Sequence, residues 1–570
     1  MIKLSFKIFI LFILQLIQVT SGSLYSEVSG NETVYMHTDR TAYIAGETVF
    51  YKLYVLDAAT HKRSEISRAA YIVVRSANSN PVVKIGVKVD NGLADGSFVL
   101  PDTLTSGTYQ VTAFTNIMKN RGNQYFFQKE IIISNRFDKE LNFKLTNPVS
   151  KDIDTTRTTE TKSEITTDKP EYGLRQKVKV TLGNLYPGAN LSISVFEESG
   201  LGTEDKSMVE TLKTGSVLTS ENSTKNTYWP EKNGKILSGR VIDEVTQKMV
   251  PSATVLLSCI DSIPNLQYAY TNSGGVFRIS LTCYYSGKEL FLTIHDVPQG
   301  QHWKIEIDDE FGLPDNNRKP AHFQLNDKAK EFIAKCQDIV YINKVYKQNE
   351  VITDKLIPSK KPVCPQVYHC PVKSVTPSDF VSLNDFSEIV VELFPLMKVN
   401  KNKGNYTVQV MNTSTYQYSQ GPGIFLDGVF VDDVNKIMGL GSDKIKRIDV
   451  IYTERTFGDL VFPGIISVTS KSNEIAKTKP ASRSLRFKNN KLQSGRSIVQ
   501  FNQDSISDGS KPFFKQVLYW NPELEIKESG PATFEFYTSD NAASFIIKVE
   551  GISDDGTPVS MNKRIRVINK

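Results

Sequence analysis

Val34–Leu56 reads VYMHTDRTAYIAGETVFYKLYVL. Its last eight residues, Val49–Leu56, are a strand-like run rich in β-branched and aromatic side chains, and Gly46 marks a turn just before them. Comparable runs follow at Ala70–Arg75, Val82–Val89, Ser97–Leu100, Tyr109–Phe114 and Phe126–Ile133, punctuated by Gly92, Gly96 and Gly107. Short alternating strands at this spacing predict an antiparallel β-sandwich over about residues 30–137.

The wording inside that unit is specific. Val34-Tyr35-x-His37-Thr38-Asp39-Arg40-x-x-Tyr43, Gly46-Glu47-Thr48-Val49, Gly96-x-Phe98-x-Leu100-Pro101 and Gly107-x-Tyr109 together resemble a macroglobulin-type domain. That is the immunoglobulin-like unit of alpha-2-macroglobulins and their bacterial relatives. His37, beside Asp39 and Arg40, is the obvious catalytic candidate, but no nucleophile accompanies it in sequence, so it is read as structural. After a linker, Thr146–Thr167, rich in Thr, Lys and Asp and poor in apolar residues, the vocabulary returns. Thr167-Asp168-Lys169-Pro170-x-Tyr172, Lys177-Val178-x-Val180-x-Leu182 and Leu191–Phe196 predict a second macroglobulin-like sandwich over 163–233, with a polar loop at Gly200–Asn226.

A third unit is expected over 234–310. Leu237-Ser238-Gly239-Arg240-Val241-Ile242-Asp243, Pro251-x-Ala253-x-Val255 and Thr271-Asn272-x-x-Gly275-x-Phe277 resemble a carboxypeptidase regulatory-like domain, a small sandwich without a catalytic zinc site. Residues 311–375 read as a connector with a helix at Asp327–Val340. The chain closes, after a basic linker at Lys477–Arg496, with a separate sandwich pattern over 484–570, in which Trp520 is expected to fill the core.

Between these lies GIFLDGVFVDDVNKIMGLGSDKIKRIDVIYTERTFGDLVFPGIISVTSK, Gly423–Lys471. Ile424–Leu426 and Val429–Val431 flank Asp427-Gly428, a dipeptide that accepts the positive φ angles of a tight hairpin. Strands are predicted near Ile445–Ile451 and Ile465–Thr469. The order of apolar strand, Asp-Gly, second strand, Asp432-Asp433, Ile445-x-x-Ile448-x-Val450, Phe457-Gly458 and Gly464-Ile465-Ile466 resembles the plug domain of TonB-dependent outer-membrane receptors, in the version common in Bacteroidota. A receptor's barrel requires about 22 strands of about 9–11 residues, and fewer than a hundred residues follow Lys471, so the chain is not expected to be the transporter. Within this unit, predicted over 376–475, the loop Phe457–Gly464 carries Leu460, Val461 and Phe462 where relatives are polar. Phe457, Leu460, Val461 and Phe462 are therefore the candidate contact for a protein partner.

Lys3 and Lys7 ahead of the apolar run Ile8–Leu14, then small residues at Thr20–Ser23, predict a signal peptide over 1–22 and export to the periplasm, outer membrane or cell surface. No later stretch is long and apolar enough to span a bilayer. Basic and acidic residues, 68 and 62, are intermixed, so no nucleic-acid surface is expected. Of five cysteines, Cys259 is expected to pair with Cys283 and Cys364 with Cys370, leaving Cys336 free. The sequence holds no GxSxG, phosphate-binding loop, dinucleotide fingerprint or HExxH, and its acidic pairs Asp308-Asp309, Asp432-Asp433 and Asp554-Asp555 read as solvated turns. No Cys is followed by Gly, which excludes the Cys-Gly-Glu-Gln of a covalent protease trap. The expectation is a mainly β, multi-domain protein: tandem immunoglobulin-like, macroglobulin-type sandwiches plus a small α+β plug-like domain. It needs no cofactor or metal, is not an enzyme, and binds another envelope protein. The alternative is a macroglobulin-like protease inhibitor without a thioester, cut at a loop such as Gly200–Asn226.

Overall fold

A computed structural model describes residues 31–76, 80–138, 163–199, 205–215, 227–282, 287–312, 327–346, 352–354, 366–402, 404–480, 482–498, 511–527 and 530–569. The protein is mainly β and built from several packed sheets. In the first sandwich, Thr48–Asp57 lies between Glu32–Thr38 and Leu93–Val99 in one sheet. The facing sheet runs Ala42–Ile44, Phe127–Ser134, Gly107–Phe114, Ala69–Arg75, Pro81–Lys88. Thr48–Asp57 is buried at all eight interior positions, the signature of a strand covered on both faces. One cover is its own core of Val49, Tyr51, Leu53 and Val55. The other is a neighbouring domain.

That neighbour corrects the expected domain order. Residues 163–199 and 511–569, predicted as two separate sandwiches, form one. Lys177–Gly183 pairs with Ala532–Tyr537 on one side and Glu164–Thr167 on the other. The opposite sheet is ordered Glu171–Tyr172, Pro558–Val567, Ser544–Ile552, Asn190–Glu197, Val517–Glu525. Neither half closes a core alone. Val178, Val180, Ile193 and Val195 from the first segment interdigitate with Phe534, Phe536, Ile547 and Val549 from the second, and burying those two apolar faces on each other is what joins them.

The intervening chain is therefore an insertion. It first builds a third sandwich, with Ile236–Asp243 between Val276–Ser280 and Trp303–Ile307, facing Leu266–Tyr270, Thr254–Cys259 and Glu289–His295. A helix, Asp327–Val345, longer than its predicted span, lays Ala329 and Ile333 on Ile132 of the first sandwich, and Lys335 bonds Glu197 of the second. The α+β unit follows, its sheet ordered Lys373–Val375, Ile445–Ile451, Ile465–Ser470, Gly423–Leu426, Val429–Val431, with helix Phe386–Leu393 against it. Asp427 and Gly428 hold φ of 53° and 85°, the double left-handed turn expected of that dipeptide.

The return path is not the linker predicted for Lys477–Arg496. Ser484–Lys488 adds an antiparallel edge strand to Glu289–His295 of the third sandwich, and Leu492–Gln493 pairs in parallel with Pro81–Lys88 of the first. Each added strand covers an edge that would otherwise expose unpaired backbone groups. Among the described residues no helix is long and apolar enough to cross a membrane.

Candidate functional site: a buried polar seam and a seated α+β unit

Alternation sends Tyr35 and His37 of one strand, and Lys52 and Tyr54 of the next, to the face of the first sandwich that points away from its own core. In the second sandwich the same rule sends Ser192, Ser194, Trp520, Lys548 and Glu550 outward. In an isolated domain both faces would be wet. Here they stack on each other, and His37, Lys52, Ser192, Ser194 and Glu550 are all 1% exposed or less.

His37 fastens the seam. Its Nδ1 lies 2.7 Å from Ser192 Oγ and its Nε2 3.2 Å from Ser194 Oγ. Ser192 also donates to the Glu550 carbonyl at 3.2 Å and accepts from Tyr54 at 3.0 Å. With the Ser192 proton spent on that carbonyl, Nδ1–H donates to Ser192 and Nε2 accepts from Ser194. The Trp520 ring closes over the imidazole, centroids 5.3 Å apart. Burial, then Lys548 and Lys129, hold His37 well below the ordinary imidazole range, so it is neutral.

A wedge from the chain between the sandwiches balances the charge. Asp205 binds Lys129 of the first sandwich at 2.7 Å and Lys548 of the second. Burial alone would raise this carboxyl, but the two ammonium groups outweigh it and hold it far below the usual carboxylate range. Met208 N donates to Glu550 Oε2 at 3.0 Å, and Met208 and Leu212 of the helix Met208–Gly215 are buried against the first sandwich. Glu550 is pushed upward by burial against the pull of Lys548; its Oε1 takes no hydrogen bond and faces Lys548 at 3.5 Å.

The His37–Ser192 spacing is that of a base and a nucleophile. Both groups are fully buried, with a neighbouring domain where a substrate would have to enter. The pair therefore joins two domains, in line with the structural reading of His37. Trp520 does not fill its own sandwich core as expected. It belongs to the seam.

The loop chosen as a partner contact also folds differently from expectation. Arg455–Phe457 and Leu460–Phe462 form a hairpin whose alternation turns Leu460 and Phe462 inward and leaves Val461 half exposed. Phe462 is 2% exposed, its ring 6.2 Å from Phe430 and 6.3 Å from His295 of the third sandwich. Phe457 is half-buried beside Tyr268, centroids 6.3 Å apart. Three of the four residues thus seat the α+β unit on the third sandwich, together with Leu256 and Leu266. Polar contacts complete the seat. Asp261 N donates to Asp427 O at 3.0 Å, Phe430 N to Ser258 Oγ at 3.3 Å and Asp459 N to Tyr268 Oη at 2.9 Å.

Of the cysteines expected to form bridges, Cys259 is buried and Cys370 exposed. Cys259 donates to Asn265 Oδ1 at 3.6 Å inside the third sandwich. Their expected partners, Cys283 and Cys364, lie outside the described residues. Cys336 is a buried thiol. The acidic pairs are not all solvated either. Asp432 anchors Arg483 at the start of the return path, Asp309 binds Lys84 at 3.0 Å, and Asp554 pairs with Arg63 across the first and second sandwiches.

Two surface cavities accompany these contacts. One of 190 Å³ on the second sandwich is lined by Lys177, Phe513, Leu518 and Glu535, whose charges at Lys177 and Glu535 pair with each other. One of 290 Å³ beside the return strand is lined by Lys84, Phe311, Lys491 and Ser494. Among the described residues no group of three His, Cys, Asp or Glu side chains could hold a metal ion.

Residues 33–128, the first sandwich, match the MG2 domain. No curated protein matches the chain. Similar solved structures include Salmonella alpha-2-macroglobulin reacted with methylamine, at 10% identity and a TM-score of 0.24, covering 94% of this chain and 39% of that one. Trypsin-activated alpha-2-macroglobulin from Escherichia coli is similar at 9% identity and a TM-score of 0.23, covering 95% and 42%. The chain spans less than half the length of either.

Sequence reasoning missed Ser192, Ser194, Asp205, Lys548 and Glu550 because each sits where alternation or a polar loop signals solvent. The one clue was the run Val49–Leu56, which carries a single charge, Lys52, and is too apolar for a strand with a wet face.

Proposed function

We propose that this chain is a non-enzymatic, exported cell-envelope protein that binds and positions a protein partner through its α+β unit, a plug-like module. The observation that supports it is the way that unit is held. It is seated by a buried aromatic cluster on the third sandwich, and its return strand continues into the third and first sandwiches before the second closes. A module fixed in this way presents a constant surface on a stiff frame, which lowers the ordering cost of binding. Val461, half exposed at the hairpin, is the part of the expected contact that remains available to a partner. The test is a photo-reactive residue at position 461 in the exporting cell. A single recurrent envelope-protein adduct is expected, and absence of any adduct above that of a buried control at 465 would overturn the reading.

The match to the MG2 domain supports a second reading, a macroglobulin-like protease inhibitor without a thioester. Against it, the described part of the proposed cleavable loop is wedged in the seam by Asp205, Met208 and Leu212. Incubation with active proteases separates the two: an inhibitor retains the protease in a stable complex after cleavage.

A further inference from the structure

We propose that the seam between the first and second sandwiches is an acid-operated hinge, in which protonation of His37 separates the two domains. The geometry carries this. His37 is the only imidazole among the seam residues named above, it bridges two serines of the opposite domain, and it has no water-facing edge.

The charges around it come from every packed element. From its own sandwich Lys52 lies opposite in register with Asp95 beyond it on the next strand, Lys129 stands on a neighbouring sheet, and Asp39 and Arg40 follow its strand. Lys548 and Glu550 face it from the second sandwich and Asp205 from the wedge. Tyr35 and Tyr54, both buried, add neutral hydroxyls. Asp205 is shared between Lys129 and Lys548, Glu550 Oε1 faces Lys548 at 3.5 Å and Asp95 stands opposite Lys52 in register, so each of the three carboxylates already faces a lysine. An imidazolium would be a fourth buried cation beside Lys52, Lys129 and Lys548, against three carboxylates. The hydrogen bonds alone do not forbid it, because Ser194 can turn its hydroxyl to accept; the uncompensated charge does.

The sign follows from linkage. In the open state His37 meets water and takes up a proton near its ordinary value of 6.5, whereas in the closed seam it resists protonation far below that. Closure is therefore unaffected above pH 6.5 and weakens by about tenfold for each unit below it, about thirtyfold at pH 5. Glu550 acts oppositely: its raised folded value favours the closed seam as pH falls, so a comparison at fixed Glu550 is needed.

The experiment uses the full chain and the indole N–H of Trp520, which is 2% exposed and lies over His37. Its hydrogen-exchange protection is followed by NMR from pH 7.5 to 5.0, in the unsubstituted protein and in His37→Gln, which can still donate and accept but cannot ionise. Protection is expected to fall about thirtyfold below pH 6.5 with His37 and less than about threefold with Gln. Equal profiles in the two proteins would overturn the hinge. Should His37→Gln fail to fold, the imidazole titration of the unsubstituted chain decides. A His37 that becomes charged near pH 6.5 while Trp520 stays protected refutes the proposal; loss of protection in step with charging supports it.

Discussion

Replacing Asp205 by Asn tests the charge balance of the seam. The substitution keeps the side chain's shape and removes one negative charge shared by Lys129 and Lys548, both of which are at most 6% exposed at their side chains. Glu550, at 3.5 Å from Lys548, then stands as the remaining carboxylate beside two ammonium groups. Breaking a buried pair by removing one partner costs about 3–5 kcal/mol, because the other charge stays buried. Asp205 retains 22% of its side-chain surface, so water relieves part of this and the lower end, about 3 kcal/mol, applies. At about 2–4 °C per kcal/mol for a unit of this size, the transition of the joined sandwiches should fall by about 6–12 °C in scanning calorimetry. The triple variant Asp205→Asn, Lys129→Met, Lys548→Met should recover most of the loss, since apolar replacements remove the stranded charges. A drop below about 1 kcal/mol in the single variant, or no recovery in the triple, would refute the account of Asp205 as the ion that closes the seam.

Three further outcomes follow from the contacts. Phe462→Asp, which buries a carboxylate among Phe425, Phe430 and His295, should lower the melting temperature sharply, whereas Val461→Asp should leave it within about 1 °C. Gly428→Ala would set a Cβ 2.6 Å from Asp261 O at a φ of +85° and should loosen the seat of the α+β unit, read as increased exchange at the Asp261 amide; Gly439→Ala, with open space around it, is the control. Glu231 is buried beneath Tyr71 and the Ile236 amide, and burial pushes its carboxyl up to about 7 from 4.5. Its raised folded value means its contribution is full below about pH 4.5 and lost as pH rises through 7, a change of about 3 kcal/mol that Glu231→Gln should abolish in unfolding measurements across that range.

What could be read from the sequence was local. Asp427-Gly428 announced its turn because two positive φ angles are a property of two adjacent residues. The alternating strands announced sandwiches because the period of a half-buried strand is visible within eight residues. The pairing of Lys177 with Tyr537 was not legible, since an apolar strand carries no label for the partner that completes its sheet. Leu460-Val461-Phe462 was misread as a contact loop for a related reason. Three residues are too few to show a period, so the inward turn of Leu460 and Phe462 emerged only from the hairpin they form.

The insertion explains why the seam must be polar and still dry. The second sandwich cannot close without residues 511–569, which follow the third sandwich and the α+β unit in the chain. Until these residues dock, the strand Asn190–Glu197 has neither of its sheet neighbours, Val517–Glu525 and Ser544–Ile552, and its outward Ser192 and Ser194 remain in water. Outward positions filled with leucine would leave the first sandwich with a large exposed apolar face during that interval, a ready surface for aggregation. Hydroxyls, an imidazole and paired charges keep both faces soluble while they wait, and acquire their partners only when the complementary face docks. The cost is a domain junction whose strength depends on charge balance, which is why one wedge carboxylate and one imidazole govern it.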